Sequence, residues 1–427
     1  MFIGVHLRLN IFPALFLLIC LVWGCAQEPF PPRLKQVLHA SWQSYVRHYI
    51  SPEGRVVIPE RGGETISEAQ AYALLRAVWG EDQAIFARVY GWTRHHLSRE
   101  QTCGDSLLAW RWGRKSDGSW GVLDANTASD ADLDYALALT LAARRGWAAP
   151  PGLPPYLDEA RRVQAAILEK EVVTLPRGKL LLTPGNWHED RPPYLVNPSY
   201  FSPATYRLLY ETFADPRWHQ LRRDTYPLLF RLASGLGGLI PGSLSNAANS
   251  IYNPLIIQVL LTENRKLKTE NLIKGVGLFP DWCRVDAQGR PTPAPDKTTD
   301  FGWEAVRLPW RLALDALWFK DEIAARLLTQ NFLPFIMKEW QTRGKLFAVY
   351  GYDGAPRVDY ESPVMYAGCL AAALAAGDRK LTRQMADKIL SFYREKNGQA
   401  YFEAPDNYYA QNWAWLGLAL YAGWIIP

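Results

Sequence analysis

The chain has few residues of the kinds that crosslink a fold or hold a metal ion. Only 5 of its 427 residues are Cys and 7 are His. No CxxC motif or His-rich spacing occurs, so the sequence predicts no metal site. If Cys20 is removed and Cys25 is modified at the amino terminus, Cys103, Cys283 and Cys369 allow at most one disulfide. The fold must therefore be held together by its core.

Dense basic runs and low-complexity stretches are also absent. The 47 Lys and Arg residues against 42 Asp and Glu residues give a formal charge of +5. They form no Lys/Arg run of the kind that follows a phosphate backbone, so nucleic acid is not an expected partner. A hydrophobic content of 48% lets a chain of this length bury a large core and predicts a globular protein.

Aromatic residues, in contrast, are abundant. The sequence contains 18 Trp, 21 Tyr and 16 Phe, more than a core of this size usually needs. Aromatic faces stack on the apolar faces of sugar rings as they do on other flat groups. The surplus predicts a sugar-binding cleft. The alternative is a Trp-rich core with a few exposed rings.

The first 25 residues have the features of an export leader: a weakly basic start and an apolar run over 11–22. The run is shorter than the roughly 20 residues of a membrane span, which disfavours an uncleaved anchor. The ending at 21–25 resembles the lipobox of bacterial lipoproteins, and this resemblance implies that Cys25 is lipidated and becomes the first mature residue. Residues 26–33 would be a short tether. We expect a lipid-anchored protein of the cell envelope, with free secretion or a periplasmic location as the alternative.

Apolar residues recur at helical spacing through most of the chain. The predicted helices are 69–78, 85–97, 133–145, 221–232, 308–318, 323–332, 369–376, 381–393 and 413–422. Short strands are predicted at 55–58, 179–182 and 345–349. Segment 133–143 is apolar on nearly every face, which indicates an inner helix, whereas 381–393 is amphipathic and indicates an outer one.

Polar, aromatic-rich loops precede the inner helices. They lie near Glu68, Asp130, Tyr200, Asn253, Glu304, Tyr360 and Tyr408. Their spacing of 48 to 70 residues is about that of a helical hairpin with its loops. The pattern predicts an all-α ring of about six hairpins that forms one domain over 34–427. In such a ring the inner helices start at the same end, so chemistry is expected there.

Glu68 stands at the start of a predicted helix in the segment SEAQAY. Ser67 and Gln70 fit a capping box, with Glu68 at the first helical position. The helix dipole alone accounts for an acid in a first turn. The same field lowers a carboxyl pKa, so a general acid at this position needs a nearby like charge or burial to stay protonated.

Segment 128–134, ASDADLD, places three alternating acids at the start of an almost wholly apolar helix. Ser129 and Asp132 again fit a capping box. One cap needs one acid, and three acids repel one another, so the excess predicts a functional site.

The segment ASDADLDYALAL resembles the signature of glycoside hydrolase family 8. SEAQAYALL at 67–75, NPSYFSP at 197–203 and WEAVRLPWRLALD at 303–315 resemble further segments of that family, in family order, and the resemblance spans roughly residues 55–420. It implies an (α/α)6 barrel of six helical hairpins with minor short strands. It also implies inverting hydrolysis of β-1,4-linked glucans, xylans or chitosan, without a cofactor.

Carried over by residue, the resemblance makes Glu68 the general acid, Asp130 the carboxylate that grips and distorts the sugar, and Glu304 the base that activates water. The residues that it implies in substrate binding are Trp120, Asp132, Tyr200, Trp303 and Arg307. Where this chain has Glu304 and Trp303, the family has Asp and Tyr. The alternative bases are therefore Asp300, Asp353 and Glu361.

The expected function is inverting endo-hydrolysis of a β-linked polysaccharide, either a β-1,4-glucan or a bacterial exopolysaccharide, by a monomer. One rival is the same reaction on an amino-sugar polymer such as chitosan or a mannosamine-based chain. Another is a non-catalytic polysaccharide-binding lipoprotein on the same barrel. A polysaccharide lyase would need a Tyr/His or Arg/His pair, for which only His188 and His219 lie near suitable loops.

Overall fold

The computed structural model describes residues 32–236 and 273–427. The predicted leader with Cys25 and the predicted loop near Asn253 lie outside these residues. No helix in the two described ranges is both long enough and apolar enough to cross a membrane.

Thirteen helical segments of the described ranges build the scaffold. In chain order they are α1 (Pro32–Tyr49), α2 (Ser67–Trp79), α3 (Gln83–His96), α4 (Ser129–Arg144), α5 (Tyr156–Lys170), α6 (Pro203–Phe213), α7 (Pro216–Ser234), α8 (Leu308–Phe319), α9 (Glu322–Leu327), α10 (Leu333–Arg343), α11 (Pro363–Ala375), α12 (Arg379–Ser391) and α13 (Tyr408–Tyr421). Shorter helical turns lie at Pro59–Arg61, Glu100–Cys103, Pro176–Gly178, Pro198–Tyr200, Ala305–Arg307 and, as a π turn between α9 and α10, Leu328–Phe332.

Six of these helices form an inner ring in the order α2, α4, α6, α8, α11, α13, each in contact with the next. The ring closes between α13 and α2, where Arg76 Nη1 donates to Asn412 Oδ1 at 3.2 Å and the rings of Tyr72 and Trp413 lie 5.8 Å apart. The other helices pack outside this ring, with α9 and α10 as one interrupted outer helix. The prediction of an all-α (α/α)6 barrel is confirmed.

Burial explains why the inner helices read as apolar on every face. In α4 each residue from Ser129 to Ala142 is buried, because the helix is covered by both its ring neighbours and α5. The outer helix α12 buries a single stripe, which includes Leu381, Met385 and Ile389. The distinction between inner and outer helices was therefore visible in the periodicity.

Short strands decorate the loops of the barrel. They are β1 (Thr65–Ile66), β2 (Arg111–Arg114), β3 (Trp120–Asp124), β4 (Val172–Thr174), β5 (Leu180–Leu182), β6 (Tyr194–Val196), β7 (Gly235–Leu236), β8 (Ile273–Lys274), β9 (Cys283–Val285), β10 (Pro291–Thr292), β11 (Tyr393–Lys396) and β12 (Gln399–Phe402). One antiparallel sheet has the order β1-β2-β3, another has β10-β9-β6, and the rest pair as hairpins. Since β1 runs directly into α2, and β3 ends shortly before α4, the first sheet lies beside the starts of two inner helices.

Some predicted elements differ from the structure. Every predicted helix overlaps an observed one, but α1, α5, α6 and α10 were not predicted. The strand predicted at 179–182 is confirmed as β5. Those at 55–58 and 345–349 are wrong, because these segments form only isolated bridges or loop. Helix α1 also begins at Pro32, inside the stretch predicted as a tether.

Cysteines do not crosslink the described part of the fold. Cys103 is exposed, Cys283 and Cys369 are buried, and all three are free thiols. Burial raises the pKa of both buried thiols, so these two side chains behave as small apolar groups of the core.

Candidate active site

Glu68 and Asp130 occupy equivalent positions in two neighbouring inner helices. The cap residues are Ile66 in α2 and Ala128 in α4, and neither helix start has a side-chain cap. Each carboxylate is therefore the second residue of its helix. Because both helices start at the same end of the ring, the two acids meet at its mouth.

The two predicted capping boxes are wrong. The Ser67 hydroxyl has no hydrogen-bond partner in the described structure, and the Gln70 amide instead accepts the Val56 N–H at 2.6 Å and donates to Thr93 Oγ1 at 2.8 Å. In α4 the Ser129 hydroxyl donates to the Thr183 carbonyl at 2.6 Å. Gln70 and Ser129 thus bind tertiary partners in place of the local ones, and Ser67 binds neither.

Arg307 joins the three predicted catalytic carboxylates. Its Nη1 donates to Glu68 Oε2 at 2.8 Å and to Asp130 Oδ2 at 2.9 Å, and its Nη2 donates to Glu304 Oε2. The Arg307 side chain is only 2% exposed. Nη2 also donates to Ser199 Oγ at 2.8 Å. A planar guanidinium with donors on both terminal nitrogens is suited to hold several carboxylates at fixed positions.

Glu68 has the electrostatics of a proton donor. Burial, with smaller contributions from the charges of Asp130 and Glu304, raises its pKa to about 7, although Arg307 opposes the shift. Its side chain keeps 17% of its surface exposed, and Oε1 accepts from the Tyr408 hydroxyl at 3.4 Å. Burial also raises the pKa of Asp130, whose residue is 3% exposed.

Glu304 reaches the same guanidinium from the loop before α8. Its Oε2 also accepts from Asn197 Nδ2 at 2.9 Å, while 34% of the side chain is exposed. No donor among the described residues binds Oε1, so this oxygen is available to a water. Asp281 fixes the backbone around Glu304, because its Oδ1 accepts from the N–H groups of residues 302, 304 and 305 at 2.7 to 3.1 Å.

Aromatic side chains flank these carboxylates. The Arg307 guanidinium lies 5.2 Å from the centroid of the Tyr200 ring. Trp303, next to Glu304 in the chain, is 41% exposed, and its carbonyl accepts from the Tyr409 hydroxyl. Tyr200 and Trp303, both predicted to bind sugar, are thus beside the carboxylates. Trp303 offers a free apolar face of the kind that stacks on a sugar ring.

Trp120 belongs to a separate aromatic cluster on the β1-β2-β3 sheet. It is 50% exposed and stacks on Trp112 at 5.2 Å, with the Arg55 guanidinium 4.9 Å from both ring centroids. Register pairs Trp120 with Arg114, whereas the other end of β2, at Arg111, pairs with Ile66 beside the start of α2.

Asp132, which was predicted to bind sugar, lies below the mouth and not in it. The residue has 0% exposure, and its Oδ1 accepts the Leu108 N–H at 2.9 Å. The third acid of the segment, Asp134, is also buried and forms a bidentate ion pair with Arg311 at 2.7 and 2.8 Å. Of the three alternating acids, the structure therefore directs only Asp130 into the mouth.

The alternative bases have partners outside this cluster. Asp300 and Asp353 both pair with Arg357, at 3.3 and 3.4 Å. Glu361 accepts from Lys388 at 2.7 Å and from the Tyr366 hydroxyl. Of the four candidates, Glu304 is the one that contacts Arg307. His188 contacts the Glu189 carbonyl and the Tyr194 ring, and His219 contacts the Tyr210 ring.

Several residues at the site were not predicted from the sequence. Tyr72 lies one turn after Glu68 and accepts from Arg307 Nη1 at 3.5 Å. Asp281 has its pKa raised to about 7 by burial and the charge of Glu304. The only signal for Tyr408 and Tyr409 was their place before the last inner helix, and nothing in the sequence singled out Asp281. In the described ranges no group of three or more His, Cys, Asp or Glu residues is arranged to hold a metal ion.

Comparison with known proteins places this chain in a family. Residues 32–253 match the family described as Glycosyl hydrolases family 8. An endoglucanase of Pseudomonas fluorescens (strain SBW25) is 31% identical over 257 residues, which are 60% of this chain and 62% of that protein. An endoglucanase of Escherichia coli (strain K12) is 35% identical over 196 residues, 45% of this chain and 51% of that protein. The chain thus spans between half and two thirds of the length of these relatives.

The fold is shared with solved structures. An endo-β-1,4-glucanase, CMCax, from Acetobacter xylinum superposes with a TM-score of 0.63 at 22% sequence identity, covering 92% of this chain and 100% of that chain. The two chains therefore share the barrel fold. This chain belongs to glycosyl hydrolase family 8.

Proposed function

We propose that the protein hydrolyses a β-linked glucan by a single displacement at the Arg307 cluster. The observation that carries this proposal is the convergence of Glu68, Asp130 and Glu304 on one guanidinium. A structural ion pair needs one carboxylate for one arginine, whereas hydrolysis with inversion needs an acid and a base on opposite faces of the sugar.

Glu68 is the proposed general acid. A pKa of about 7 keeps an appreciable fraction of the side chain protonated near neutral pH, the condition under which proton transfer to the glycosidic oxygen is most efficient. Its partial exposure lets a leaving oxygen approach. The Tyr408 hydroxyl at Oε1 helps to fix the orientation of the carboxyl.

Glu304 is the proposed base. Arg307 and Asn197 both donate to Oε2, which orients the carboxylate and leaves Oε1 for a water. Glu is one methylene longer than the Asp that the family resemblance implies. The hydrogen bonds from the backbone N–H groups of residues 304 and 305 to Asp281 fix the position of the Glu304 backbone, from which this longer side chain extends. The water would attack the anomeric carbon as Glu68 protonates the leaving group.

Asp130 is the proposed stabiliser of the strained sugar. It is nearly buried and is held by Arg307 Nη1 at 2.9 Å. A fixed carboxylate in a site with little water stabilises the partial positive charge that develops on the sugar ring in the transition state. No proton needs to leave Asp130 in this scheme.

The proposed substrate is a β-1,4-glucan or a related bacterial exopolysaccharide, cut within the chain. The two relatives are described as endoglucanases, and exposed rings such as Trp303 and Trp120 are suited to a polymer longer than the catalytic cluster. An amino-sugar polymer is the second candidate, since Glu68, Asp130 and Glu304 would attract a cationic sugar. Export and a lipid anchor at Cys25 remain part of the proposal, and they rest on the lipobox-like ending alone. A non-catalytic binding role is disfavoured because all three carboxylates are retained.

The rate of hydrolysis is expected to fall above about pH 7. Glu68 must carry its proton in order to donate it, and its pKa is about 7. Above that pH, kcat/KM should drop about tenfold for each pH unit. The measurement is the release of reducing ends between pH 4 and 10 from carboxymethyl-cellulose, mixed-linkage β-glucan and chitosan.

The same experiment tests the substrate. Activity on the glucans with the alkaline limb near pH 7 supports the proposal, and activity on chitosan alone would select the amino-sugar alternative. A rate that stays constant from pH 6 to 9 would contradict the role of Glu68. No release from any polymer, together with retained binding, would favour a binding protein.

A further inference from the structure

A second pair of acids lies below the mouth of the barrel. Asp132 is in the first turn of α4, and Glu171 directly follows α5. Both residues are completely buried. The Glu171 carboxyl group accepts from Thr127, two residues before α4 begins, and the interaction with Asp132 is among the causes that raise the pKa of Glu171. Neither acid takes part in the proposed reaction.

The remaining contacts of the pair leave one oxygen on each carboxyl group. Asp132 Oδ1 accepts the Leu108 N–H at 2.9 Å, and Glu171 Oε1 accepts from the Thr127 hydroxyl. Asp132 Oδ2 and Glu171 Oε2 are buried and have no other hydrogen-bond partner in the described structure. Two neighbouring carboxylates that are this deeply buried disfavour carrying two charges, whereas a proton shared between the two free oxygens satisfies both.

The charges that face this pair do not neutralise it. Arg99 acts on Asp132 but already binds Asp105 in a bidentate pair at 2.9 and 3.0 Å. Asp105 and Asp130 add negative charge to its surroundings. Burial and these charges raise the pKa of both members, the direction expected if they retain a proton at neutral pH.

The backbone of Glu171 also contacts the loop that follows β5. Its carbonyl accepts the Thr183 N–H at 2.8 Å and the Thr183 hydroxyl at 2.7 Å. Thr127, which donates to the Glu171 carboxyl group, exchanges hydrogen bonds with Asn186 at 2.9 and 3.0 Å, and its carbonyl accepts from Trp187 Nε1 at 3.0 Å. The acid pair thus connects the start of α4, which carries Asp130, with the loop at 183–187.

We propose that Asp132 and Glu171 share one proton and act as positioning residues for Asp130 and the 183–187 loop. The positioning role rests on the proposed function, whereas the shared proton does not. With the proton present, a single O–H···O hydrogen bond joins the two helices and the pair carries one negative charge. Without it, two buried carboxylates repel each other and the start of α4 loses its support.

Amide substitutions test the shared proton because each amide replaces the carboxylic acid as a permanent donor. In Glu171→Gln the new N–H₂ group donates to Asp132 Oδ2, and in Asp132→Asn it donates to Glu171 Oε2. Each single variant is expected to be at least as stable as the native protein at pH 7. In the double variant two N–H₂ groups face each other, so it is expected to be less stable than either single variant.

The pH dependence of unfolding gives an independent measure. The native state retains a proton that the unfolded chain loses near pH 4.3. The unfolding equilibrium constant of the native protein therefore rises with pH, by about tenfold per pH unit for one proton. Either single amide should remove one proton from this slope in urea titrations between pH 5 and 8. The control is Asp134→Asn, since Asp134 lies in the same helix as Asp132. This substitution breaks the ion pair with Arg311 and should lower the stability.

Kinetics test the positioning role separately. Glu171→Ala should lower kcat on the glucan by about tenfold or more, as small misplacements in an active site do, and Glu171→Gln should restore most of the loss without a matching change in KM. Equal destabilisation by both single amides, an additive double variant or an unchanged slope would overturn the shared proton. A normal slope change with no kcat effect would overturn only the positioning role.

Discussion

Glu68→Gln is expected to lower kcat on polymeric β-glucan by roughly 10² to 10⁴-fold, the range that general acids contribute. Gln fills the same volume, and its one carbonyl oxygen can still accept from Arg307 while its N–H₂ group faces the Tyr408 hydroxyl, but it has no acidic proton to give to the leaving oxygen. Binding of a cello-oligosaccharide, measured by calorimetry, should remain within a few-fold of the native value because the aromatic side chains and Arg307 are unchanged.

The leaving group separates the acid from the base. The dinitrophenolate group of a dinitrophenyl cello-oligosaccharide leaves without protonation. Glu68→Gln should therefore hydrolyse this substrate at a rate close to that of the native protein. Glu304→Gln should fail on both substrates, because it lacks the group that activates water whatever the leaving group. A Glu304→Gln variant that hydrolyses the polymer normally would assign the base to another carboxylate.

An exposed acid serves as the matched control. Glu322 also stands in the first turn of a helix, but on the outer helix α9 and away from the mouth. Glu322→Gln should leave both rates unchanged. Native-like hydrolysis of polymer by Glu68→Gln would contradict the assignment of the general acid.

Arg307→Ala is expected to abolish hydrolysis and to reduce the free energy of unfolding by about 3 to 5 kcal/mol at pH 7, the range found when one partner of a buried ion pair is removed. Three carboxylates would then face one another in a poorly hydrated site without a cation. Arg307→Lys keeps the charge, but its compact ammonium group replaces two terminal nitrogens that divide the three carboxylates between them. This variant should lose activity with a smaller loss of stability.

The stability loss in Arg307→Ala should shrink as the pH falls toward 4. Removing the cation raises the carboxyl pKa values, so the variant takes up protons at a higher pH than the native protein and its carboxylates become neutral first. Urea unfolding at pH 4.5 and 7 measures this difference. Arg357→Ala, which removes an exposed pair with Asp300, should cost about 0 to 1 kcal/mol at either pH, and an equal loss in both variants would contradict the role of Arg307.

The ring of helices and the acidic residues could be predicted from the sequence because the relevant signals are local. The inner helix at 129–144 is apolar all round, and amphipathic spacing marks the outer helix at 379–391. Glu68, Asp130, Glu304 and Arg307 lie in motif segments, and the structure brings these four side chains together.

The remaining features depend on contacts between distant segments. Asp130 and Asp132 are two residues apart in one motif, yet one reaches the mouth and the other is buried against Leu108 and Glu171. The capping boxes failed for the same reason, since Ser129 found the Thr183 carbonyl instead of its own helix. Asp281 accepts hydrogen bonds from the backbone of a loop more than 20 residues further along the chain, and no local sequence pattern predicts this pairing.

The most direct test of a single displacement is the configuration of the first product. Proton NMR of a β-linked cello-oligosaccharide, recorded during the first minutes of hydrolysis before mutarotation, distinguishes the two anomers at the newly formed reducing end. With Glu68 as acid and Glu304 as base, one inversion is expected and the α-anomer should appear first. Initial release of the β-anomer would contradict the account, because it would require a covalent intermediate and two displacements.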